Sequence, residues 1–271
     1  MDQKLLDAIE KVMHECLDAA GEVQRKYFAA KREGRGIEAK GASFDLVTEA
    51  DKESERVIID RVSAAFPNHS IVAEESGSHE RPNAPATWYI DPLDGTTNFA
   101  HGLPIFSISI GVSVGDEPAL GAVYNPVRED LFLGRAGRGA TLNGAPIHVS
   151  DSATLETSLL VTGFPYDRRE RADHYLGQYK AFMMCTRGVL RLGSAALDLC
   201  QVASGRLDGY YEESLHHYDW AAGILIVREA GGRVSDYIGG DAMLARKEVC
   251  ASNGRIHPAM LEILKLDAIK A

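Results

Sequence analysis

Cysteine is scarce in this chain, and the four present, Cys16, Cys185, Cys200 and Cys250, form no C-x-x-C pair. That removes the usual ligand spacing of a zinc site. With apolar or small neighbours, each reads as a buried free thiol in a reducing compartment. Long hydrophobic runs are missing as well: no window reaches the roughly 18 continuous apolar residues of a membrane span. Met1-Asp2-Gln3-Lys4 lacks the basic start, apolar run and cleavage site of a signal peptide, so the expected location is the cytoplasm, with no membrane partner. Positive charge is in deficit. Lys and Arg total 29 against 39 Asp and Glu, a net charge of −10, which disfavours nonspecific binding to nucleic acid or to an anionic membrane. Internal repeats, low-complexity tracts and long linkers are absent too. What remains is an ordinary globular composition, 45% hydrophobic and 25% charged, long enough for one large domain or two modest ones.

The deficit of positive charge is sharpest from Pro82 to Val127, 46 residues without a Lys or Arg. Inside that stretch lies Asp91-Pro92-Leu93-Asp94-Gly95-Thr96-Thr97-Asn98-Phe99, preceded by Trp88-Tyr89-Ile90. The pattern predicts a buried strand ending in two acids, then a turn into a helix N-terminus. Carboxylates hold hard cations through oxygen, and the free N–H groups of such a turn hold phosphate. A metal site beside an anion site is what metal-assisted hydrolysis of a phosphate ester requires. With no local cation, divalent metal is the economical source of positive charge.

Leu5, Leu6, Ile9, Val12, Met13, Cys16, Leu17 and Ala20 recur at helical spacing and predict a long first helix ending before Gly34. A basic, glycine-containing loop follows, from Gly34 to Gly41. A second helix is expected over Ser54–Phe66, stopped by Pro67-Asn68, and a short strand at Ile71-Val72-Ala73 delivers Glu74 and Glu75. Strands at 105–114, 120–124 and 130–134, separated by turn signals, predict an antiparallel meander. From about residue 151 strands and helices alternate, with helices expected at 194–203, 220–230 and 258–266 and strands at 159–162, 189–191, 208–212 and 249–251. The expected fold class is α/β, with an α+β N-terminal half over residues 1–150 carrying most of the acids and an α/β C-terminal half over 151–271 carrying Asp219.

Several motifs in this order resemble the inositol monophosphatase family. They are Val47-Thr48-Glu49-Ala50-Asp51, Ala73-Glu74-Glu75-Ser76, Asp91-Pro92-Leu93-Asp94-Gly95-Thr96 and Asp219-Trp220-Ala221-Ala222-Gly223, supported by Asn98–Pro104, Gly193-Ser194-Ala195-Ala196 and Glu229-Ala230-Gly231-Gly232. The resemblance runs from Lys40 to about Gly232. It implies a layered αβαβα sandwich and a magnesium-dependent, lithium-sensitive phosphatase, usually a homodimer. Glu74, Asp91 and the carbonyl of Leu93 would hold one Mg²⁺, and Asp91, Asp94 and Asp219 a second. A third ion near Glu74 would make two or three in all. Asp51, Thr96 and Glu74 would form the catalytic set, Asp51 and Thr96 activating the attacking water. Gly95 and Thr96 N–H groups would bind phosphate beside Asp94. Gly193, Ser194 and Ala195 would line the pocket, and Glu212 would meet a substrate hydroxyl.

Without metal, five such acids would repel a phosphate and raise one another's pKa values. Taken singly, Asp51 reads as a cap of the following helix, Asp219 as a cap of a helix beginning at Trp220, and Glu74 as a solvated strand end. Together beside the nine-residue motif they read as a metal site. Glu75 reads as structural, and Lys40 matches a family lysine or is a surface residue. His216 and His217 read as pocket wall or surface, because magnesium disfavours imidazole. The family usually places Trp directly before the last aspartate; here Tyr218 precedes Asp219 and Trp220 follows it.

The expected substrate is myo-inositol 1-phosphate or a related sugar or polyol phosphate. Fructose 1,6-bisphosphate, histidinol phosphate and 3′-phosphoadenosine nucleotides are the alternatives within the superfamily. The resemblance to bacterial members also raises a non-catalytic role with RNA polymerase or a transcription factor in ribosomal RNA processing, with Arg187 and Arg191 either on such a surface or simply exposed.

Overall fold

The computed structural model describes residues 2–30, 37–39 and 46–268. Lys40 and most of the expected Gly34-to-Gly41 loop lie outside these residues. Helix α1 (Gln3–Ala29) starts where Asp2 accepts a 2.9 Å hydrogen bond from the Lys4 N–H. Its apolar stripe of Leu6, Ile9, Met13, Cys16, Leu17 and Ala20 is buried as the 3.6-residue period requires. Strands β1 (Ile37–Ala39) and β2 (Leu46–Thr48) pair antiparallel and lead into α2 (Glu49–Ala65).

An eight-stranded sheet follows. In chain order its members are β3 (Ser70–Ala73), β4 (Gly77–His79), β5 (Ala86–Asp94), β6 (Ser107–Val114), β7 (Glu117–Asn125), β8 (Asp130–Arg135), β9 (Gly139–Leu142) and β10 (Ala145–Ile147), with the short helix α3 (Thr96–His101) after β5. From β5 to β10 the sheet is the expected antiparallel meander, and β3 joins β5 in parallel. The second half contributes β11 (Leu159–Thr162), α4 (Ala172–Met183), β12 (Gly188–Leu190), α5 (Ala195–Ala203), β13 (Gly209–Glu213), α6 (His217–Glu229), β14 (Arg233–Ser235), α7 (Met243–Arg246), β15 (Glu248–Ser252) and α8 (His257–Ala268). Its sheet runs β12-β11-β13-β15-β14.

The layers are α1 and α2, the large sheet, α5 and α6, the small sheet, then α4 and α8. Three apolar clusters fill the spaces between them: one under α1 and α2, one on both sides of α5 and α6, and one between the small sheet and α4 and α8. Strand alternation assigns the faces: Trp88 and Ile90 of β5 enter the cluster under α1 and α2, while Tyr89 points the other way and stacks on His217 of α6 at 3.8 Å.

The middle layer sits unusually close to the large sheet. Gly111, Gly121 and Gly134 are register partners on β6, β7 and β8. A Cβ on Gly111 would come within 2.7 Å of Ala221 Cβ, one on Gly121 within 2.7 Å of the Ala222 carbonyl, and one on Gly134 within 3.0 Å of Ile226 Cα. Three absent side chains in a row thus cut a trough in which α6 lies.

The structure corrects several expectations. Helix α2 begins at Glu49 rather than Ser54, and α6 at His217 rather than Trp220. The small sheet, whose strand directions the sequence left open, is mixed: β15 runs antiparallel to both β13 and β14. Strands β4 and β14 carry too few apolar residues to signal themselves, and α7, at four residues, is too short to show a helical period. Cys16, Cys200 and Cys250 are buried, but Cys185 is half-exposed at the end of α4. No helix among the described residues is long and apolar enough to cross a membrane.

Candidate active site

Asp91 and Asp94 are three residues apart, and strict alternation would send them to opposite faces of β5. A bulge prevents this. Asp91 pairs with Ser109 and Asp94 with Ser107, so β5 spends one extra residue where β6 spends none. Both acids therefore face the α5–α6 layer. The bulge also frees the Pro92 carbonyl from the ladder, and the buried Gln24 of α1 donates to it from Nε2 at 2.6 Å. Asp91 Oδ1 accepts from the Leu93 N–H at 3.0 Å.

Asp94 spans the gap to α5. Its carboxylate accepts from Ser194 Oγ at 2.5 Å, from the Ala195 N–H at 3.1 Å and from the Ala196 N–H at 2.8 Å. An acid on the end of one sheet thereby satisfies the first N–H groups of a helix associated with the other. Gly95 then turns the chain at φ +97°, where a Cβ would stand 2.9 Å from the Ile105 carbonyl oxygen, and α3 begins at Thr96.

Asp51 and Asp219 play matching local parts. Each occupies the third position of its helix and reaches back to the cap residue. Asp51 Oδ2 accepts from the Thr48 N–H at 2.8 Å, and Asp219 Oδ2 from the His216 N–H at 2.6 Å. Both acids do cap helices, but from inside, which is why those helices start earlier than the sequence suggested. Asp51 also lies 3.1 Å from the Thr96 hydroxyl, and that hydroxyl is 3.1 Å from the Leu93 carbonyl.

A cleft of about 820 Å³ collects these groups: Glu74, Asp91, Leu93, Asp94, Thr96 and Asp219 all line it. So do Gly95, Gly193, Ser194, Ala195 and Glu212. Of the site residues expected from sequence, only Asp51 is off the wall; it is fully buried behind Thr96. His216 lines the wall, and His217 is sandwiched between Tyr89 and Trp220.

Electrostatics follow from this crowding. Burial first, then Glu74, Asp94 and Asp219, push the Asp91 carboxyl well above the usual range. Burial pushes Asp94 up to about 6 against the pull of Ser194 and the α5 N–H groups. Burial pushes Asp51 up to about 7, opposed by Thr48. Asp219 is raised well above its ordinary value by burial, then by Glu74 and Asp94, against the His216 N–H.

Among the described residues, no three acidic, His or Cys side chains form a ready-made metal-binding group. Asp51, Asp91, Asp94 and Asp219 are each turned toward a local donor. The donor chemistry nonetheless fits a hard cation. Carboxylates and the Leu93 carbonyl face one space, and the mutual repulsion that lifts Asp91 is what a divalent ion relieves.

Sequence reasoning missed four contributors. Arg168 and Arg191 line the cleft, so the positive charge absent around the central motif is partly supplied by the other half. Arg191 lines the cleft and is also exposed, as Arg187 is. Asp198, in the first turn of α5, lines the cleft while 1% exposed. Gln24 braces the bulge from sixty-eight residues away. None of these sits in a recognisable motif.

Known proteins match this chain along most of its length. The model of the inositol monophosphatase family matches residues 5–266. An inositol-1-monophosphatase of Synechocystis is 49% identical over 228 residues, 84% of this chain and 79% of that protein. The Nus factor SuhB of Escherichia coli is 44% identical over 232 residues, covering 84% of this chain and 86% of its own. The structure of inositol monophosphatase from Anabaena matches with a TM-score of 0.85 at 41% identity, over 97% of this chain and 96% of that one.

Proposed function

The chain belongs to the inositol monophosphatase family, and from that footing we propose that it is a Mg²⁺-dependent phosphomonoesterase. Its substrate would be myo-inositol 1-phosphate or a related sugar or polyol phosphate, hydrolysed to the alcohol and inorganic phosphate. The observation that carries this reading is the convergence of Glu74, Asp91, Asp94 and Asp219 on one cleft with Thr96 and the start of α3.

In this reading Glu74, Asp91 and the Leu93 carbonyl hold one ion and Asp91, Asp94 and Asp219 another. Bound there, Mg²⁺ supplies the charge that offsets the phosphate and the acids, and it favours ionised water and a departing alkoxide. The chain's own groups do the rest. The first-turn N–H groups of α3, including that of Thr96, have no intrahelical acceptor and can bind phosphate oxygens. Thr96 Oγ1, between Asp51 Oδ1 and the Leu93 carbonyl, orients the water. Asp51, at about 7, takes a proton through Thr96 near neutral pH. Gly193, Ser194 and Ala195 wall the leaving group, and Glu212 accepts from one of its hydroxyls.

A phosphate-release panel tests the reading, with inositol 1-phosphate, fructose 1,6-bisphosphate, histidinol phosphate and 3′-phosphoadenosine nucleotides, each with Mg²⁺, Li⁺ or chelator. We expect Mg²⁺-dependent, Li⁺-inhibited release, strongest with the polyol ester. Asp91→Asn should lower it on the order of a thousandfold, several kcal/mol of charge stabilisation. Release that is indifferent to chelator, or near-normal turnover by Asp91→Asn, defeats the reading.

The name Nus factor SuhB on a relative supports a second reading, association with RNA polymerase or a transcription factor. Pull-down of RNA polymerase by both wild type and Asp91→Asn would favour it. No retention by either would dismiss it. A homodimer in the cytoplasm is the assembly and location that family membership favours.

A further inference from the structure

In the wall of the cleft, Asp198 poses a problem that the proposed hydrolysis leaves open. Its Oδ1 is buried and has no hydrogen-bond partner. Native structures rarely leave such an atom without a reason. Asp198 projects from α5, whose first N–H groups are already taken by Asp94, so helix capping does not explain it.

Its neighbours define what the space would take. Glu212 faces the same end of the cleft and accepts from the Tyr210 hydroxyl at 2.7 Å. Burial first, then the Glu212 and Asp94 charges, raise Asp198 well above its ordinary value, and Arg191 opposes them. Arg191 reaches back over the cleft: a Cβ on Gly193 would stand 2.8 Å from its Nη1. Among the described residues, no hydrogen bond or ion pair closes Arg191 onto either acid. Opposite, Gly163 makes room for Glu212, because a Cβ there would lie 2.0 Å from Oε1.

Two acids and one guanidinium around one space make a poor receptor for a second phosphate. They make a good one for hydroxyl groups, each able to donate to a carboxyl and accept from a guanidinium. We propose that Asp198 is a specificity-determining residue: its buried carboxyl oxygen accepts a hydrogen bond from a second hydroxyl of the leaving alcohol, next to the one taken by Glu212, so that the cleft reads a vicinal diol. This rests on the phosphatase reading above.

The test compares wild type, Asp198→Ala and Asp198→Asn on myo-inositol 1-phosphate and on cyclohexyl phosphate, a ring ester with no other hydroxyl. Asp198→Ala should raise KM for the inositol ester by up to about tenfold, the worth of one hydrogen bond, with kcat within about twofold. The preference for inositol phosphate over cyclohexyl phosphate should fall by the same factor, and Asp198→Asn, which keeps an acceptor, should restore part of it. Removing an unpartnered buried acid should leave the melting temperature unchanged or higher. Equal losses on both esters, or an unchanged preference, overturns the assignment while the phosphatase reading stands. A wild type that splits neither ester ends both.

Discussion

Ser194 Oγ donates to Asp94 Oδ2 at 2.5 Å, joining the end of a strand in the large sheet to the cap of a helix that packs on the small one. The same hydroxyl also caps α5 through the Leu197 N–H at 3.4 Å. One side chain thus sets both where α5 begins and where a candidate metal ligand points. Ser194→Ala should weaken Mg²⁺ binding by about tenfold, the usual effect of losing a partner that orients a ligand. It should also cost about 1 kcal/mol as a lost cap. Mg²⁺ titration of activity, beside thermal melting, checks both; an unchanged Mg²⁺ requirement would refute the first.

The acid cluster predicts a pH dependence of metal binding. Asp94, Asp51 and Glu212 are pushed up to about 6, 7 and 7, chiefly by burial. A carboxyl raised in the folded state contributes stability that is complete below its unfolded value and is lost as pH rises through the folded one. The metal-free protein should lose that contribution between about pH 4 and 7. His217 and His257, both lowered to about 4 by burial, act in the opposite sense below about 6.5. The cleaner measurement is therefore the rise in melting temperature on adding Mg²⁺: large at pH 8, where the acids are ionised, and small at pH 5, where protons compete. An equal rise at both would exclude the acids as the binding groups.

Gly121→Ala tests the trough beneath α6. Its Cβ would sit 2.7 Å from the Ala222 carbonyl, a backbone atom that cannot swing aside. Overpacking of this kind costs about 1–3 kcal/mol. Because Asp219 rides on α6, activity at limiting Mg²⁺ should fall further than the loss of stability alone explains. Melting curves and Mg²⁺-dependent kinetics on the same sample separate the two effects.

Gln24→Leu should remove the donor that holds the Pro92 carbonyl. Leaving a buried carbonyl unpaired costs about 1–3 kcal/mol, and the bulge carrying Asp91 and Asp94 loses its brace. The expected result is a lower melting temperature together with a raised Mg²⁺ requirement. A variant that melts early but keeps the wild-type Mg²⁺ curve would show that Gln24 serves the fold alone.

How legible the site was depended on how local its chemistry is. The run from Asp91 to Thr97 announced itself because both acids, the turn glycine and the helix start are contiguous, and Glu74 followed from the strand before it. Asp51 and Asp219 stood out as candidates, but their helix boundaries were misread. An acid at the third helical position looks like a cap in sequence, and only the hydrogen bonds back to Thr48 and His216 tell the two apart. Arg168 and Asp198 stayed hidden, and Arg191 was read without its place in the cleft, because their neighbours in space lie across the layers. The glycine row was unreadable for the same reason: Gly111, Gly121 and Gly134 are ten and thirteen residues apart and become one feature only when three strands come into register.

The one-residue mismatch between β5 and β6 makes chain length, as much as chain chemistry, a condition for this cleft. Removing Pro92 or Leu93 would keep every acid and still aim one of them into the wrong layer. Homologues should therefore vary freely in the identity of many residues around this strand while keeping the interval from Asp91 to Asp94 fixed, and a shortened interval should mark a relative that has given up the chemistry.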